Sequence, residues 1–412
     1  MSAKRIVVLG GGFAGLWSAV GAARELDRLG LGSNEVTITL VNRDAYHNIR
    51  VRNYEADLSH VRVQLDDVLR PVGIHRIAGD VVDIDLHKQE VHIKMTWPND
   101  LRPLGYDRLV FALGSQLNRS SILGLVEHGF DVDTYEGAAR LNTHLQTLPT
   151  QPELPGQYTV LVVGAGLTGI EAATEIPGKL RTALAEAQVQ PSFQVILADH
   201  NPWVGSDMGD GARPAIEQAL CDLDIKTRTG VSITAVNDSG VTLASGEVIP
   251  AATVVWCTGM RANPLTRLFP VERDCFGRIP VDEFMKVKGV SNVFAAGDVA
   301  WALMDDTHIS VMSCQQARPM GRFAGHNVVC DLLGQPMLPL RIKWYVTVLD
   351  LGPQRALYTE GWDRAIAAVG EAAKRTKQTI NCQRIYPPLS KNRREILDAA
   401  APVVQNPPEQ YH

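Results

Sequence analysis

Two groups of glycine residues have a spacing that suits the binding of phosphate groups. The first G-x-G-x-x-G pattern consists of Gly10, Gly12 and Gly15, and the second consists of Gly164, Gly166 and Gly169. In this pattern the first glycine permits a tight turn, the second lets the backbone approach a pyrophosphate, and the third lets a helix pack closely on a strand. One copy also occurs in folds that bind nothing, but two copies predict two dinucleotide sites.

The segments around each glycine group support this prediction. Apolar runs at residues 6–9 and 160–163 precede the two groups, and each run predicts a buried parallel strand. After the first group, Leu16, Val20 and Ala23 recur at helical spacing. Each group therefore ends a strand and begins a helix, and the unpaired amides at the start of that helix would face the phosphates.

The two halves resemble each other beyond the glycine groups. Residues 106–118 and 252–264 each predict a buried strand that runs into a glycine, Gly114 in one half and Gly259 in the other. A Pro-rich stretch at residues 148–157 separates the halves. The expected fold class is α/β, with two Rossmann-like dinucleotide-binding domains and a smaller mixed α/β C-terminal region.

Two carboxylates follow predicted strands. Asp199 ends the segment at residues 193–199, and Asp298 follows Gly297 late in the chain. Ligands of doubly wound sheets bind at the carboxyl ends of the strands, so both carboxylates are candidate ligand contacts. The alternatives are a helix-capping role for Asp298 and a simple surface position for Asp199.

Composition excludes several classes of protein. The net charge of −5 over 412 residues gives no electrostatic footprint for nucleic acid. No apolar stretch approaches the ~20 residues that span a bilayer. The six cysteines are scattered, with neither a C-x-x-C motif nor the spacing of metal ligands, so we expect no metal site. We interpret the apolar N-terminus as the first strand rather than a signal peptide, and we expect a cytoplasmic protein.

Taken with the late "AAGD" segment (residues 295–298), the two glycine groups resemble those of the pyridine nucleotide–disulfide oxidoreductase superfamily. The resemblance covers roughly residues 5–335. It implies FAD at the first glycine group and NADH, or less readily NADPH, at the second. It also implies that Asp298 contacts the ribityl chain of FAD. A carboxylate at Asp199 would accept from a free 2′-hydroxyl and repel a 2′-phosphate, which favours NADH.

Within that superfamily, three stretches are similar to type II NADH dehydrogenases. These are "RDAYHNIR" (residues 43–50), "VVWCTGMRANP" (residues 254–264) and "CQQARPMGRFAGHNV" (residues 314–328). The resemblance implies catalytic positions for Gln315, beside the acceptor, and Glu171, near the nicotinamide. The cofactor-binding positions are Gly10, Gly12, Phe13, Ala14, Gly15, Asn42, Arg43, Gly114, Gly164, Gly166, Gly169, Asp199, Gly259, Gly297 and Asp298.

The chain departs from its relatives at several points. The first cysteine is Cys221, so the C-x-x-x-x-C pair of the disulfide reductases is missing. Asn42 stands where most relatives carry an acid that contacts the FAD ribose, and an acid in its place would be expected to hold FAD more tightly. Pro319 replaces a glutamine of the acceptor region. The C-terminal segment has only a thin apolar stripe, so it predicts at most peripheral membrane contact, and the polar tail at residues 403–412 is predicted to be disordered.

These features predict an FAD-dependent NADH dehydrogenase that passes electrons to a quinone or a similar small acceptor. The alternatives are an NADH-dependent ferredoxin or rubredoxin reductase and an FAD- and NAD-binding redox sensor. A basic docking face would favour the reductase, and Arg384, Arg393 and Arg394 hint at one. The expected division is an FAD-binding domain at residues 1–147 and 281–335, an NAD(P)H-binding domain at residues 158–280 and a C-terminal region at residues 336–412. A homodimer is compatible with the sequence.

Overall fold

The computed structural model describes residues 3–118 and 122–408. The α-helices are α1 (Phe13–Arg28), α2 (Leu65–Leu69), α3 (Leu125–His128), α4 (Tyr135–Thr147), α5 (Leu167–Glu186), α6 (Arg213–Asp222), α7 (Cys314–Leu333), α8 (Glu371–Thr379) and α9 (Arg393–Ala399). The strands are β1 (Lys4–Leu9), β2 (Val36–Asn42), β3 (Tyr46–Asn48), β4 (Arg62–Gln64), β5 (His75–Asp85), β6 (Glu90–Met95), β7 (Leu101–Gly105), β8 (Arg108–Phe111), β9 (Ser115–Leu117), β10 (Thr159–Val163), β11 (Gln194–Ala198), β12 (Ile225–Arg228), β13 (Ile233–Asn237), β14 (Gly240–Leu243), β15 (Val248–Pro250), β16 (Thr253–Trp256), β17 (Met260–Ala262), β18 (Ile279–Pro280), β19 (Val293–Ala295), β20 (Ala300–Trp301), β21 (Val346–Asp350), β22 (Ala356–Glu360) and β23 (Ala365–Gly370).

The first sheet contains seven strands in the order β19-β8-β1-β2-β5-β6-β7. Its first five strands are parallel, with Ile6 opposite Ile38 in the central pair. The last two strands turn back as an antiparallel extension. Strand β19, from late in the chain, lies beside β8, so the segment that precedes Asp298 completes the sheet begun at the N-terminus.

The second sheet repeats the plan with four parallel strands in the order β12-β11-β10-β16. Its inner strands are buried on both faces, as expected for a parallel sheet covered by helices. Together with the helices that cover them, the two sheets form the α/β fold predicted from the sequence. The corresponding segments after β8 and β16 pair with each other, since β9 and β17 form an antiparallel ribbon in which Ser115 lies opposite Ala262.

Helix α1, near the N-terminus, and helix α7, late in the chain, pack closely against each other. A Cβ atom at Gly321 would lie 2.3 Å from the carbonyl oxygen of Ala14, so only glycine permits this approach. Trp17, on the same side of α1, is fully buried. The N-terminus of α7 is thereby held beside the first glycine group.

The C-terminal region is a three-stranded antiparallel sheet, β21-β22-β23, followed by α8 and α9. Ile396 and Leu397 of α9 are buried in the core that also contains α1. The prediction of a disordered tail is wrong for residues 403–408, because Val404 packs against this core and Arg384 donates to the carbonyl of Asn406. Residues 409–412 lie outside the described part. No helix among the described residues is long and apolar enough to cross a membrane.

Candidate functional site

One cleft of about 1430 Å³ brings most of the predicted site residues together. It exceeds the ~300–1,000 Å³ of an ordinary single-ligand pocket. The predicted residues that line it are Gly10, Gly12, Phe13, Ala14, Asn42, Arg43, Gly114, Gly164, Gly166, Glu171, Asp199, Gly259, Gly297, Asp298 and Gln315. Gly15 and Gly169 do not line the cleft.

The two glycine groups adopt the same conformation. Gly10 has a φ of +100° and Gly164 a φ of +104°, which a side chain would strain. A Cβ at Gly15 would lie 1.9 Å from the carbonyl oxygen of Gly10, and one at Gly169 would lie 1.7 Å from that of Gly164. The third glycine of each group therefore serves helix–strand packing, while the first two face the cleft.

The helices that follow both groups begin without a side-chain cap. Gly12 is the N-cap of α1 and Gly166 is the N-cap of α5, and neither first turn carries an acidic residue. The space beside Gly12 is open for 4 Å around the position a Cβ would take. Free amides and the positive end of a helix dipole fit a pyrophosphate at both places. Beside Gly166 the corresponding position lies 3.1 Å from a carboxylate oxygen of Asp207.

A side chain at the carboxyl end of the second strand of each half holds the adjacent glycine turn. Asn42 accepts a hydrogen bond from the amide of Gly11 at 2.9 Å, and Asp199 accepts one from the amide of Ala165 at 2.5 Å. The Asn42 amide also donates to the carbonyl of Asp44 at 3.2 Å. Both side chains are thus fixed at the cleft edge.

Two arginines near these positions pair with other carboxylates. Arg43 is mostly exposed and pairs with Asp80 at 3.1 Å. Arg213 pairs with Asp210 and does not line the cleft. The charge at Asp199 is therefore not offset by Arg213.

His47 and Phe13 pack against each other beside the first glycine turn. The Nδ1 atom of His47 lies 2.9 Å from the carbonyl oxygen of Gly11, and the two rings meet edge to face at 4.9 Å. Burial lowers the pKa of His47 to about 4. The ring is therefore neutral at pH 7, with Nδ1 protonated and donating to Gly11.

Asp298 lies on a short 3₁₀ turn, Gly297–Val299, that follows β19. The hydroxyl of Ser115 donates to its carboxylate at 2.6 Å, and Arg50 lies 3.8 Å away. Arg50 also contacts Asp133. The sequence did not single out Arg50 as a site residue, because its partners Ser115, Asp133, Met260 and Asp298 come from separate segments of the chain.

Gln315 lies in the first turn of α7, whose N-cap is Ser313. Its Nε2 atom is buried and has no hydrogen-bond partner among the described residues. Pro319 is buried inside the same helix and also lines the cleft. A buried amide donor aimed at an open cleft is a group that a ligand oxygen can satisfy.

Glu171 forms a buried ion pair that the sequence did not indicate. Its carboxylate accepts from Lys377 of α8 at 2.5 Å and from the amide of Asp350 at 3.1 Å. Burial alone would lower the pKa of Lys377, but the Glu171 carboxylate more than offsets this and the pKa is raised. Both side chains line the cleft, so Lys377 is a site residue supplied by the C-terminal region.

The cysteines form no disulfide. All six are free. Cys314 and Cys257 line the cleft, and burial raises the pKa of each thiol. Protonated thiols are poor nucleophiles, so neither resembles a redox-active cysteine.

A second buried cluster lies between α1 and α7. His326 is 3.0 Å from the Glu25 carboxylate through Nδ1 and 3.4 Å from the Cys330 sulfur through Nε2. Arg28 also donates to Glu25. Because the two ring nitrogens face different partners, a polar contact with Glu25 and a hydrogen bond to Cys330 account for this arrangement better than a metal ion.

Comparisons with known proteins agree with this architecture. A family model described as pyridine nucleotide-disulphide oxidoreductase matches residues 4–321. An NADH dehydrogenase-like protein of Mycobacterium tuberculosis is 55% identical over 405 residues, which are 98% of this chain and 100% of that protein. A type II NADH:quinone oxidoreductase of Staphylococcus epidermidis is 25% identical, over 93% of this chain and 95% of that protein. A structure of NDH2 from Plasmodium falciparum in complex with NADH has a TM-score of 0.75 at 12% identity, over 96% and 97% of the two chains, and shows the same fold.

Proposed function

The chain belongs to the pyridine nucleotide-disulphide oxidoreductase family, and on this premise we propose that it is an FAD-dependent NADH dehydrogenase that reduces a quinone or a similar small acceptor. The observation that carries the proposal is the opening of two equivalent glycine turns into one cleft, beside the Nε2 atom of Gln315, which has no partner among the described residues. The flavin, when bound, supplies a centre that takes a hydride from NADH and releases two electrons to the acceptor.

The cofactors are assigned by the two halves. We place FAD at the first glycine turn, with Asn42, Gly114 and Asp298 as contacts. We place NADH at the second, with Asp199 and Gly259. Asp199 puts a carboxylate where a 2′-phosphate would lie, and this charge supports NADH over NADPH. The pairing of β19 with β8 supports our division into FAD-binding residues 1–147 and 281–335, NAD(P)H-binding residues 158–280 and C-terminal residues 336–412.

The protein's own contribution is mainly positioning. The uncapped helices hold the phosphates, and the ribbon of β9 and β17 fixes the two halves relative to each other. Gln315 donates a hydrogen bond to an oxygen of the acceptor. The pair of Glu171 and Lys377 ties α5 to the C-terminal region and closes that side of the cleft.

The contacts of the C-terminal arginines favour a small acceptor over a protein partner. Arg393 pairs with Asp27 and Arg394 with Asp398, so neither contributes a free positive charge to a docking face. The burial of Ile396 and Leu397 supports the further proposal that α9 is not a membrane anchor and that the enzyme acts in the cytoplasm.

Stopped-flow measurement of the two half-reactions tests this proposal. With Gln315→Ala, reoxidation of the reduced enzyme by 2-methyl-1,4-naphthoquinone should slow about fivefold, the effect of one lost neutral hydrogen bond. Reduction by NADH should keep its rate. Gln335→Ala, an exposed position beyond α7, is the matched control. Bound flavin that NADH fails to reduce would show a nucleotide sensor instead, and equal slowing of both half-reactions would remove Gln315 from the acceptor site.

A further inference from the structure

Two arginines on α7 are buried at the cleft, and no described residue pairs with their charge. Arg318 is 6% exposed and Arg322 is 2% exposed, and both line the cleft. They lie one helical turn apart, and Arg318 follows Gln315 by three residues. Residues three or four apart share one face of a helix, so Gln315, Arg318 and Arg322 form a row of donors along the cleft wall.

Neither guanidinium has a hydrogen bond or ion pair with any residue that the structure describes, and both Nε atoms are buried and unpartnered. Their contact is the ring of Trp17, whose centroid lies 5.6 Å from Arg318 and 4.4 Å from Arg322. An indole face attracts a cation but supplies no acceptor for its N–H groups.

Two other buried cations of this chain, Arg278 and Lys377, are each paired with a carboxylate. Arg278 donates to Asp274 at 2.7 Å and to the carbonyl of Ser310 at 2.5 Å. Lys377 has Glu171. A buried charge without a counter-charge is costly, so the absence of a described carboxylate beside Arg318 and Arg322 indicates that a ligand supplies it.

The surroundings add further positive charge. Burial, together with the nearby charge of Arg384, lowers the pKa of Arg318 to about 10 and that of Arg322 to about 9, so both remain protonated at pH 7. Arg384 lines the same cleft, together with the apolar Ile385 and Val404. Pro319 lies between the two arginines in sequence and offers no side-chain donor. The wall is therefore cationic and apolar, with Gln315 as its neutral donor.

We propose that the electron acceptor is a small aromatic compound that carries a carboxylate or another oxyanion, which binds Arg318 and Arg322. This inference rests on the proposed function and specifies the substrate class of the same cleft. The overall step is balanced: NADH, one proton and the quinone-like acceptor give NAD⁺ and the two-electron-reduced hydroquinone. Guanidinium groups bind oxyanions through charge-assisted bonds, which an uncharged isoprenoid quinone would leave unmade.

A pair of acceptors that differ in charge tests the proposal. The probes are 1,4-naphthoquinone and 1,4-naphthoquinone-2-sulfonate, each with saturating NADH. In Arg318→Gln and Arg322→Gln, kcat/KM for the sulfonate should fall at least about tenfold more than kcat/KM for the uncharged quinone. Arg322→Lys should recover part of the difference, because it restores the charge. Because each variant is compared with the wild type for the same probe, the difference in reduction potential between the two probes cancels.

The matched control is Arg394→Gln, since Arg394 is exposed on α9 and pairs with Asp398 outside the cleft. It should leave both values unchanged. An unchanged ratio in both α7 variants would overturn the proposal, while reduction of the flavin by NADH would still support the proposed function. Loss of bound FAD from the variants would also overturn it, because the arginines would then hold the cofactor.

A second experiment needs no variant and so does not depend on folding. Naphthalene-2-sulfonate should inhibit reduction of 1,4-naphthoquinone by the wild-type protein competitively. The uncharged naphthalene-2-sulfonamide should inhibit at least about tenfold more weakly. Equal inhibition by the two compounds would contradict recognition of the negative charge.

Discussion

The carboxylate of Asp199 accepts a hydrogen bond from the backbone amide of Ala165 at 2.5 Å. In the other half of the molecule, the carboxamide of Asn42 makes the equivalent contact with Gly11 at 2.9 Å. An amide and a carboxylate thus perform the same structural task. The two sites differ in the negative charge that only Asp199 brings to the cleft.

This equivalence gives a clean test of nucleotide preference. Asp199→Asn should preserve the contact with Ala165, as Asn42 does with Gly11, while it removes the charge. We expect the ratio of kcat/KM for NADH to that for NADPH to fall roughly tenfold, with FAD content unchanged. Asp238→Asn, on the exposed β13–β14 hairpin, is the control. An unchanged ratio would mean that Asp199 does not face the adenosine ribose.

The contacts of Asn42 lead us to expect that an acid at this position weakens FAD binding, the opposite of the effect expected from the sequence. Its amide nitrogen donates to the carbonyl of Asp44 at 3.2 Å and to that of Tyr46 at 3.4 Å. In Asn42→Asp these donors are lost and a second carboxylate lies beside Asp44. FAD should dissociate about fivefold faster, equivalent to ~1 kcal/mol. The rise in flavin fluorescence after dilution measures this rate. Slower release of FAD from the variant would show that these contacts of Asn42 do not support FAD binding.

The pair of Glu171 and Lys377 should behave as a coupled unit. Lys377→Met leaves the Glu171 carboxylate buried without its cation, and we expect a loss of about 3–5 kcal/mol in the free energy of unfolding. The double variant Glu171→Gln/Lys377→Met carries no buried charge and should recover most of that loss. Denaturant unfolding of the wild type, Lys377→Met, Glu171→Gln and the double variant gives the interaction energy of the pair by a double-mutant cycle. Additive losses would show that the two side chains do not interact.

His47 should make stability depend on pH. Its pKa is about 4 in the folded protein and near 6.5 when exposed, so the unfolded chain binds a proton that the folded chain does not. The stabilising contribution is complete above pH 6.5 and is lost as the pH falls toward 4. The wild-type protein should therefore lose stability more steeply than His47→Gln over this window, by up to about 1.4 kcal/mol per pH unit. Parallel curves from denaturant titrations would show that His47 is not buried as a neutral ring.

Local patterns predicted much of this site. The glycine groups, the strand ends and the start of α7 are each set by neighbouring residues, so Gly10, Gly164 and Asp199 could be identified from the sequence. Lys377 could not be identified, because it is separated from Glu171 by 206 residues in the sequence. The burial of Arg318 and Arg322 was equally hidden, since in the sequence they are ordinary arginines within a helix. Contacts of this kind depend on tertiary packing, which periodicity does not encode.

We expect NADH to reduce the flavin without a thiol pair that shares the electrons. An anaerobic titration of the purified protein with NADH, followed by flavin absorbance, measures this. The oxidised flavin spectrum should disappear completely at one NADH per FAD, with all six cysteines remaining free. A requirement for two NADH per FAD, or a flavin that NADH does not reduce, would contradict this expectation.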